Sequence, residues 1–449
     1  MSLKKHILGT LGTNILNIGL SLGYSILSTR LLGTEGKGEF SIFQASLDLF
    51  SLFLSLGLFE AINYFVARKT HGTREVLTTG IILSLISSAV FMGFIYGSDA
   101  LGRIGLFLAE DKNTTFFWMV LLGCFWLKMI KGVLVSLLRA HLKFNWVNIL
   151  SILNLAVSLL VYGILYLLEL QEVIDVTTGD IFVVFLLISA FHGIFVVAVY
   201  AKVVKLGPSL SLLSKKDIIT MVSWGSIAFI ATSAQFLNYR IDYWFVEYFH
   251  GKTVLGLYSL ASNLSLMLRI IPMAIAPVLL SYIASRGEDK EKVNVEQTIV
   301  LGRMTLTVCT FITLIGIPLS PWVIPFLYGE EFTQTGYFMQ YLLLGVLPLC
   351  LTTVYASYFF GTGRIKINMY ASLLGLVCTA IFDYLLIPDW GGMGAVLATI
   401  FSYIATSFYV IYQFWRINDC SIPSLLFLTK KDIQQVKQYL LHAIRRKIL

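Results

Sequence analysis

Residues 181–201 read Ile-Phe-Val-Val-Phe-Leu-Leu-Ile-Ser-Ala-Phe-His-Gly-Ile-Phe-Val-Val-Ala-Val-Tyr-Ala, twenty-one positions without an Asp, Glu, Lys or Arg. Wound as a helix at about 1.5 Å per residue, the run is about 30 Å long, the thickness of bilayer hydrocarbon. It shows no polar alternation of the kind a barrel strand needs, and backbone groups in lipid must find partners inside the segment. A transmembrane α-helix follows. Eleven more such windows lie near 8–32, 40–66, 76–96, 115–138, 146–168, 218–249, 254–284, 298–326, 337–360, 367–388 and 393–416. The 449 residues are 57% hydrophobic and 13% charged, with mean hydropathy +0.81. A soluble chain carries about 25% charged residues, which excludes soluble hydrolases, disordered chains and nucleic-acid binders. The five cysteines, Cys124, Cys309, Cys350, Cys378 and Cys420, show no CxxC spacing, so neither a metal site nor a disulfide framework is expected, and no cofactor.

The net charge of +8 is distributed by side. Alternate connections hold 23 Lys/Arg on one side, among them Lys4, Lys5, Arg68, Lys69, Arg74, Arg139, Lys143, Lys202, Lys205, Lys215 and Lys216. The other side holds Arg30, Lys37, Arg103, Lys112 and Lys252, together with Glu169, Glu172, Asp175, Asp180, Glu330 and Glu331. The positive-inside rule therefore predicts a multi-pass membrane protein with both termini cytoplasmic. The segment 417–449 reads as a separate amphipathic tail. Thr429 and Asp432 stand at capping-box-like spacing, Ile433, Val436, Leu440 and Ile444 form an apolar stripe, and a basic face suits the anionic leaflet. The run Asp175-Val-Thr-Thr-Gly-Asp180 lacks calcium-loop spacing and reads as a solvated acidic turn.

The chain also repeats itself. Gly33-Thr-Glu-Gly-Lys-Gly38-Glu-Phe40-Ser41 returns as Gly251-Lys-Thr-Val-Leu-Gly256-Leu-Tyr258-Ser259 at a shift of 218, which also carries Arg68 onto Arg286. Leu142-Lys-Phe-Asn145 matches Ile365-Lys-Ile-Asn368 at a shift of 223. Six spans return to the side they began on, so the copies share an orientation and are related by an axis along the membrane normal. The expected fold is an all-α polytopic membrane protein of twelve transmembrane helices in two pseudo-symmetric six-helix bundles. The bundles cover 1–201 and 218–416, with a cytoplasmic linker 202–217. Both glycines of each G-x-x-x-x-G read as a tight turn needing flexible backbone.

Arg30-Leu-Leu-Gly33 with Gly38-Glu-Phe40-Ser41, and Ile241-Asp242-Tyr243 with Gly251 and Gly256-Leu-Tyr258-Ser259-Leu-Ala261, carry a further signal. Over residues 5–416 the chain resembles the polysaccharide transporter family, the Wzx-like oligosaccharide flippases of the superfamily that holds MATE exporters and lipid II flippases. The resemblance implies a MATE-like fold and a transporter, not an enzyme. Its substrate would be an undecaprenyl-pyrophosphate-linked oligosaccharide moved from the inner to the outer leaflet of the cytoplasmic (cell inner) membrane, for O-antigen, capsule or exopolysaccharide assembly. A glycan polymerase and glycosyltransferases would be its partners. A MATE-type cation or drug exporter, a lipid II flippase and a non-transporting scaffold for glycan assembly remain alternatives.

Charges inside the spans mark candidate sites, since each costs about 2.5–3.5 kcal/mol at a helix centre. Lys128, Lys131 and Arg139 fall on one face of the fourth span at i, i+3 and i+11, a basic stripe suited to an anionic headgroup. Arg240 in the seventh span aligns with Tyr243, Trp244 and Glu247, and Arg269 in the eighth precedes Pro272 and Pro277, which should bend that helix. These five cations are the candidate pyrophosphate-binding set of a hydrated cavity. Asp48, Glu60 and Asp242 are candidates for counter-charge or for H⁺ or Na⁺ coupling, Asp48 and Glu60 the better ones, since Asp242 could equally line the cavity, join the two bundles or make a structural hydrogen bond. Asp383 and Arg303 read as interfacial, and His192 as a core residue.

Overall fold

The computed structural model describes residues 3–67, 72–100, 114–207, 209, 212–286 and 291–426. The stripe proposed for the tail helix, together with Arg68, Lys69, Arg103, Lys112 and the Arg286 side chain, lies outside what is described. The described residues hold helices and no strand. In chain order the helices are α1 Leu3–Ser55, α2 Leu58–Ala67, α3 Thr73–Ala100, α4 Thr114–Ala140, α5 Phe144–Leu170, α6 Thr178–Val203, α7 Lys215–Leu266, α8 Ile270–Arg286, α9 Glu291–Tyr328, α10 Thr333–Gly361, α11 Ile365–Asn418 and the short α12 Ile422–Leu426.

Three helices are too long for a single crossing, and each contains one non-helical glycine: Gly33 in α1, Gly251 in α7 and Gly391 in α11. All three fall in gaps predicted between spans. Two further breaks interrupt single spans. Leu56 and Gly57 take φ of 47° and 74°, and α2 leaves the line of α1 by 52°. A one-turn 3₁₀ segment, Met267–Arg269, separates α7 from α8. Among the described residues, dividing at the three glycines and joining across the two breaks gives twelve spans, the short α12 aside. By length and hydropathy alone, eight described helices pass as crossings, or nine if α1 and α2 are taken as one bent span.

The repeat is visible in backbone conformation. Gly33 has φ 61° and ψ −172°, and Gly251 has φ 77° and ψ 180°, a left-handed φ with extended ψ that only glycine adopts readily. At the turns predicted to face inward, Leu142 N donates to Arg139 O and Lys143 N to Leu138 O, while Gly363 N donates to Phe360 O and Arg364 N to Phe359 O. Both are Schellman ends with a left-handed residue at the turn, Leu142 at φ 57° and Gly363 at φ 74°. Lys143 and Arg364, which open the next helices, share φ/ψ of −87°/42° and −83°/44°. The backbone register here is therefore 221. The sequence match at 223 followed a basic-and-Asn pattern that stands two residues from the equivalent cap.

The second glycine of each G-x-x-x-x-G does not shape a turn, contrary to the sequence reading. A Cβ on Gly38 would meet Lys252 O at 1.9 Å, and a Cβ on Gly256 would meet Thr34 O at 1.9 Å. These two contacts exchange under the 218 shift. So does the hydrogen bond between Ser41 Oγ and Ser259 Oγ, 2.8 Å, which joins equivalent residues. Reciprocal contact between like positions is the mark of a two-fold relation, and small residues at a helix crossing supply the close packing that lipid cannot supply by hydrophobicity.

The chain divides into two compact units, Met1–Ser259 with Pro325–Phe332, and Leu260–Ile324 with Thr333–Leu449. The first has one core around Phe40, Phe43, Phe125 and Phe182, and another around Ile62, Val76, Val133 and Leu137. Its predicted outer ends gather. Arg30 reaches Tyr166 and the end of α9, and Lys252 Nζ pairs with Glu39 Oε1 at 2.6 Å. At the other end Thr73 Oγ1 meets His141 Nε2 and Thr78 Oγ1 meets Ser209. The second unit is built on Tyr355, Tyr358 and Phe414, with the Tyr355 and Phe414 rings stacked at 4.4 Å. Asp383 and Arg303, read as interfacial, are buried in this unit. Exposed Trp322, Phe326 and Phe408 suit a lipid-facing surface.

Candidate functional site

The fourth-span stripe forks. Lys128 turns toward α1 and pairs with Asp48 Oδ1, while Lys131 turns toward α6, its Nζ 3.4 Å from Ser189 O and its stem against Gly193. Arg139 lies exposed at the end of α4. The spacing placed all three on one face, and the neighbours divide them: only one turn separates Lys128 from Lys131, and long stems reach the nearest acceptor on either side. Asp48, a candidate counter-charge, and Lys128, a candidate cation, thus meet. Their side chains stay 52% and 36% exposed, so the pair is not sealed inside the protein. Cys124 on α4 and His192 on α6 stand within electrostatic range of Lys131. Glu60 is exposed in the first turn of α2, where a carboxylate complements the positive end of the helix.

A second polar group follows the reciprocal crossing. Arg240 donates through Nη1 to the Tyr243 hydroxyl, and its guanidinium carbon stands 4.8 Å from the Tyr243 ring centroid. The Tyr243 hydroxyl lies 3.4 Å from Ser259 O, and Ser259 bonds Ser41. Asp242, buried two positions from Arg240, accepts from the Tyr258 hydroxyl. The i, i+3 alignment of Arg240 with Tyr243 was readable, and for Asp242 the structure shows the buried hydrogen bond to Tyr258. Lys37, counted in the sequence only toward sidedness, is buried one turn before Ser41.

In the second unit Arg269 ends the 3₁₀ turn and is half-buried. Pro272 has no N–H for Leu268 O, four residues back, and the helix breaks there. The Cys309 thiol, fully buried, lies 4.0 Å from that carbonyl. The acidic turn before the sixth span also does more than dissolve. Thr177 and Asp180 form a capping box, Asp180 N to Thr177 Oγ1 at 3.3 Å and Thr177 N to Asp180 Oδ2 at 3.0 Å, on a Thr-x-x-Asp spacing present in the sequence. Among the described residues no three His, Cys, Asp or Glu side chains come together as a metal site.

Residues 3–286 match the family model described as polysaccharide biosynthesis protein, and residues 228–385 match the MatE model. A capsular polysaccharide biosynthesis protein, CapF of Staphylococcus aureus, is 27% identical over 183 residues, 39% of this chain and 46% of that protein. A probable low-salt glycan biosynthesis flippase, Agl15 of Haloferax volcanii, is 21% identical over 428 residues, 92% of this chain and 86% of that protein. The structure of the lipid II flippase MurJ in an inward closed conformation superposes with a TM-score of 0.71 at 16% identity, covering 93% of this chain and 90% of that one. The first family match spans well over half of the sequence, so the chain is a multi-pass membrane protein belonging to the polysaccharide biosynthesis protein family, with the fold of the MATE and MurJ transporters.

Proposed function

We propose that this protein is a flippase that carries an undecaprenyl-pyrophosphate-linked oligosaccharide from the cytoplasmic to the outer leaflet of the cytoplasmic membrane. It would work by alternating access of two six-span bundles, 1–201 and 218–416, with both termini cytoplasmic. The observation that carries the reading is a set of cations held at span depth in a member of a polysaccharide biosynthesis family: Lys128, Lys131, Arg240 and Arg269. An isolated charge in hydrocarbon costs tens of kcal/mol by Born estimates, so a pyrophosphate crosses only where fixed cations and water replace its hydration. The part-exposed Lys128–Asp48 pair suits exchange: the headgroup phosphate takes Lys128 from Asp48, and a proton or Na⁺ on Asp48 assists that release. Glu60 is the second candidate for coupling. Arg139 attracts the headgroup at the cytoplasmic rim, while Arg240 and Asp242 are held in the polar group around Tyr243 and Tyr258. No covalent chemistry takes part.

The test is export of surface glycan in a strain lacking the gene, complemented at equal membrane level. Lys128→Ala with Arg269→Ala is expected to lower export by about tenfold or more, one charge-assisted contact each; full export by the double variant rejects the reading. The Lys128–Asp48 pair also favours a scaffold whose charges are satisfied internally. Asp48→Asn separates the two, altering the ion dependence of export in a flippase and leaving export unchanged in a scaffold.

A further inference from the structure

We infer that Arg30 is a positioning residue of the transport cycle, which caps the outer end of the ninth span and, with Glu331, latches it to the hinge between the first and second spans. The last carbonyls of a helix have no partner within it, and its C-terminus carries partial negative charge. Helix α9 ends at Tyr328. Pro325 O is satisfied by Gly329 N at 2.8 Å, and the next two carbonyls are taken by Arg30, Nη2 to Phe326 O at 2.9 Å and Nε to Leu327 O at 2.7 Å. The third arm of the fork, Nη1, donates to the Tyr166 hydroxyl at 3.1 Å, so one guanidinium joins the ends of the first, fifth and ninth spans. Only arginine offers this planar fork.

The return contact has the opposite sign. After Gly329, whose φ is 113°, the turn Glu330–Phe332 brings both Glu331 carboxylate oxygens to 3.7 Å from where a Cβ on Gly33 would stand. Gly33 is the break at which the second span begins, so the carboxylate sits at the positive end of that helix. Buried Tyr328 and Phe332 anchor the turn, and the Tyr328 hydroxyl lies 3.4 Å from Ser25 Oγ. These contacts explain why Pro325–Phe332 belongs to the first unit while the rest of α9 belongs to the second. Arg30 itself is exposed, so water takes over its bonds at small cost when they break.

The inference rests on the alternating-access reading and its sidedness. In such a cycle, contacts between the first six and last six spans on the outer face form in one state and part in the other. The latch residues of α9 belong to the last six spans, and Arg30, Gly33 and Tyr166 to the first six.

The experiment labels single introduced cysteines from outside intact cells with a membrane-impermeant maleimide, taking the parent chain as blank. Ser25→Cys lies beneath Tyr328, and Asp175→Cys reports the outer loop independently of the latch. Adding Arg30→Ala should raise Ser25→Cys labelling by about tenfold and leave Asp175→Cys unchanged; Arg30→Lys, which keeps the charge without the fork, should fall between. Unchanged Ser25→Cys labelling in both Arg30 variants, with Asp175→Cys reactive at the parent level, overturns the latch and leaves the flippase reading standing. An Asp175→Cys that never reacts from outside overturns the sidedness, and the latch and flippase reading with it.

Discussion

Leu142 and Gly363 occupy the same turn in the two copies of the repeat, and only one of them suits it. Both are left-handed, at φ 57° and 74°, and Leu142 is exposed, so its side chain gives little packing in return. A left-handed L-residue costs about 1–2 kcal/mol, part of which glycine returns through the greater freedom of its unfolded chain. Leu142→Gly should therefore stabilise by about 0.5–1 kcal/mol, read as a higher unfolding midpoint of the purified protein in detergent. An equal or lower midpoint means that Leu142 is held there by packing. At this scale the sequence was informative about residue type and silent about partners. That Lys128, Lys131, Arg240 and Arg269 are costly in a membrane is written in their positions; that Lys128 faces Asp48 and Lys131 faces Ser189 depends on which spans lie beside α4. Lys37 and Arg30 were counted as loop charges because sidedness counts ignore reach: a guanidinium on a long stem finds carbonyls 296 and 297 positions away.

At the scale of elements, apolar windows located the spans because lipid demands long uninterrupted helices, and the three glycine breaks fell between the windows. What periodicity does not reveal is where two backbones touch. Gly38 and Gly256 read as turn formers and proved to be contact points. Gly256→Ala should cost about 1–3 kcal/mol, since the new carbon would overlap Thr34 O on a backbone that must move. Gly93→Ala, in a helix with open space around it, should be neutral or mildly stabilising. Thermal unfolding of the two variants side by side checks the contrast, and equal midpoints would remove the crossing from the account. The bend at Met267–Arg269 gives a second element-scale prediction. Cys309→Ala leaves the volume of a fully buried sulfur unfilled and should destabilise by about 1 kcal/mol, while Cys309→Ser, whose shorter C–O bond leaves the hydroxyl out of reach of Leu268 O 4.0 Å from the sulfur, should be no better. A serine that restores the parent midpoint would show that a donor at this position matters to the bend.

For the whole molecule, the internal repeat decided the architecture before any coordinates. Equivalent residues meet at Ser41 and Ser259, and the Gly38 and Gly256 contacts exchange under the same shift, so duplication and packing tell one story. The polar groups depart from that symmetry. Asp242, Tyr243 and Arg240 have Tyr24, Ser25 and Leu22 at the equivalent positions of the first copy. The proposed function draws on both copies, one with Lys128 and Lys131 and the other with Arg240 and Arg269, within a fold shared by the MATE and MurJ transporters. The central claim is that these cations receive a pyrophosphate. Binding of undecaprenyl pyrophosphate to the purified protein, followed by native mass spectrometry against the Lys128→Ala, Arg269→Ala double variant, tests it most directly. The account predicts affinity at least about tenfold weaker in the variant, with undecaprenol itself binding both proteins alike. Equal affinity of the two proteins for the pyrophosphate would contradict it.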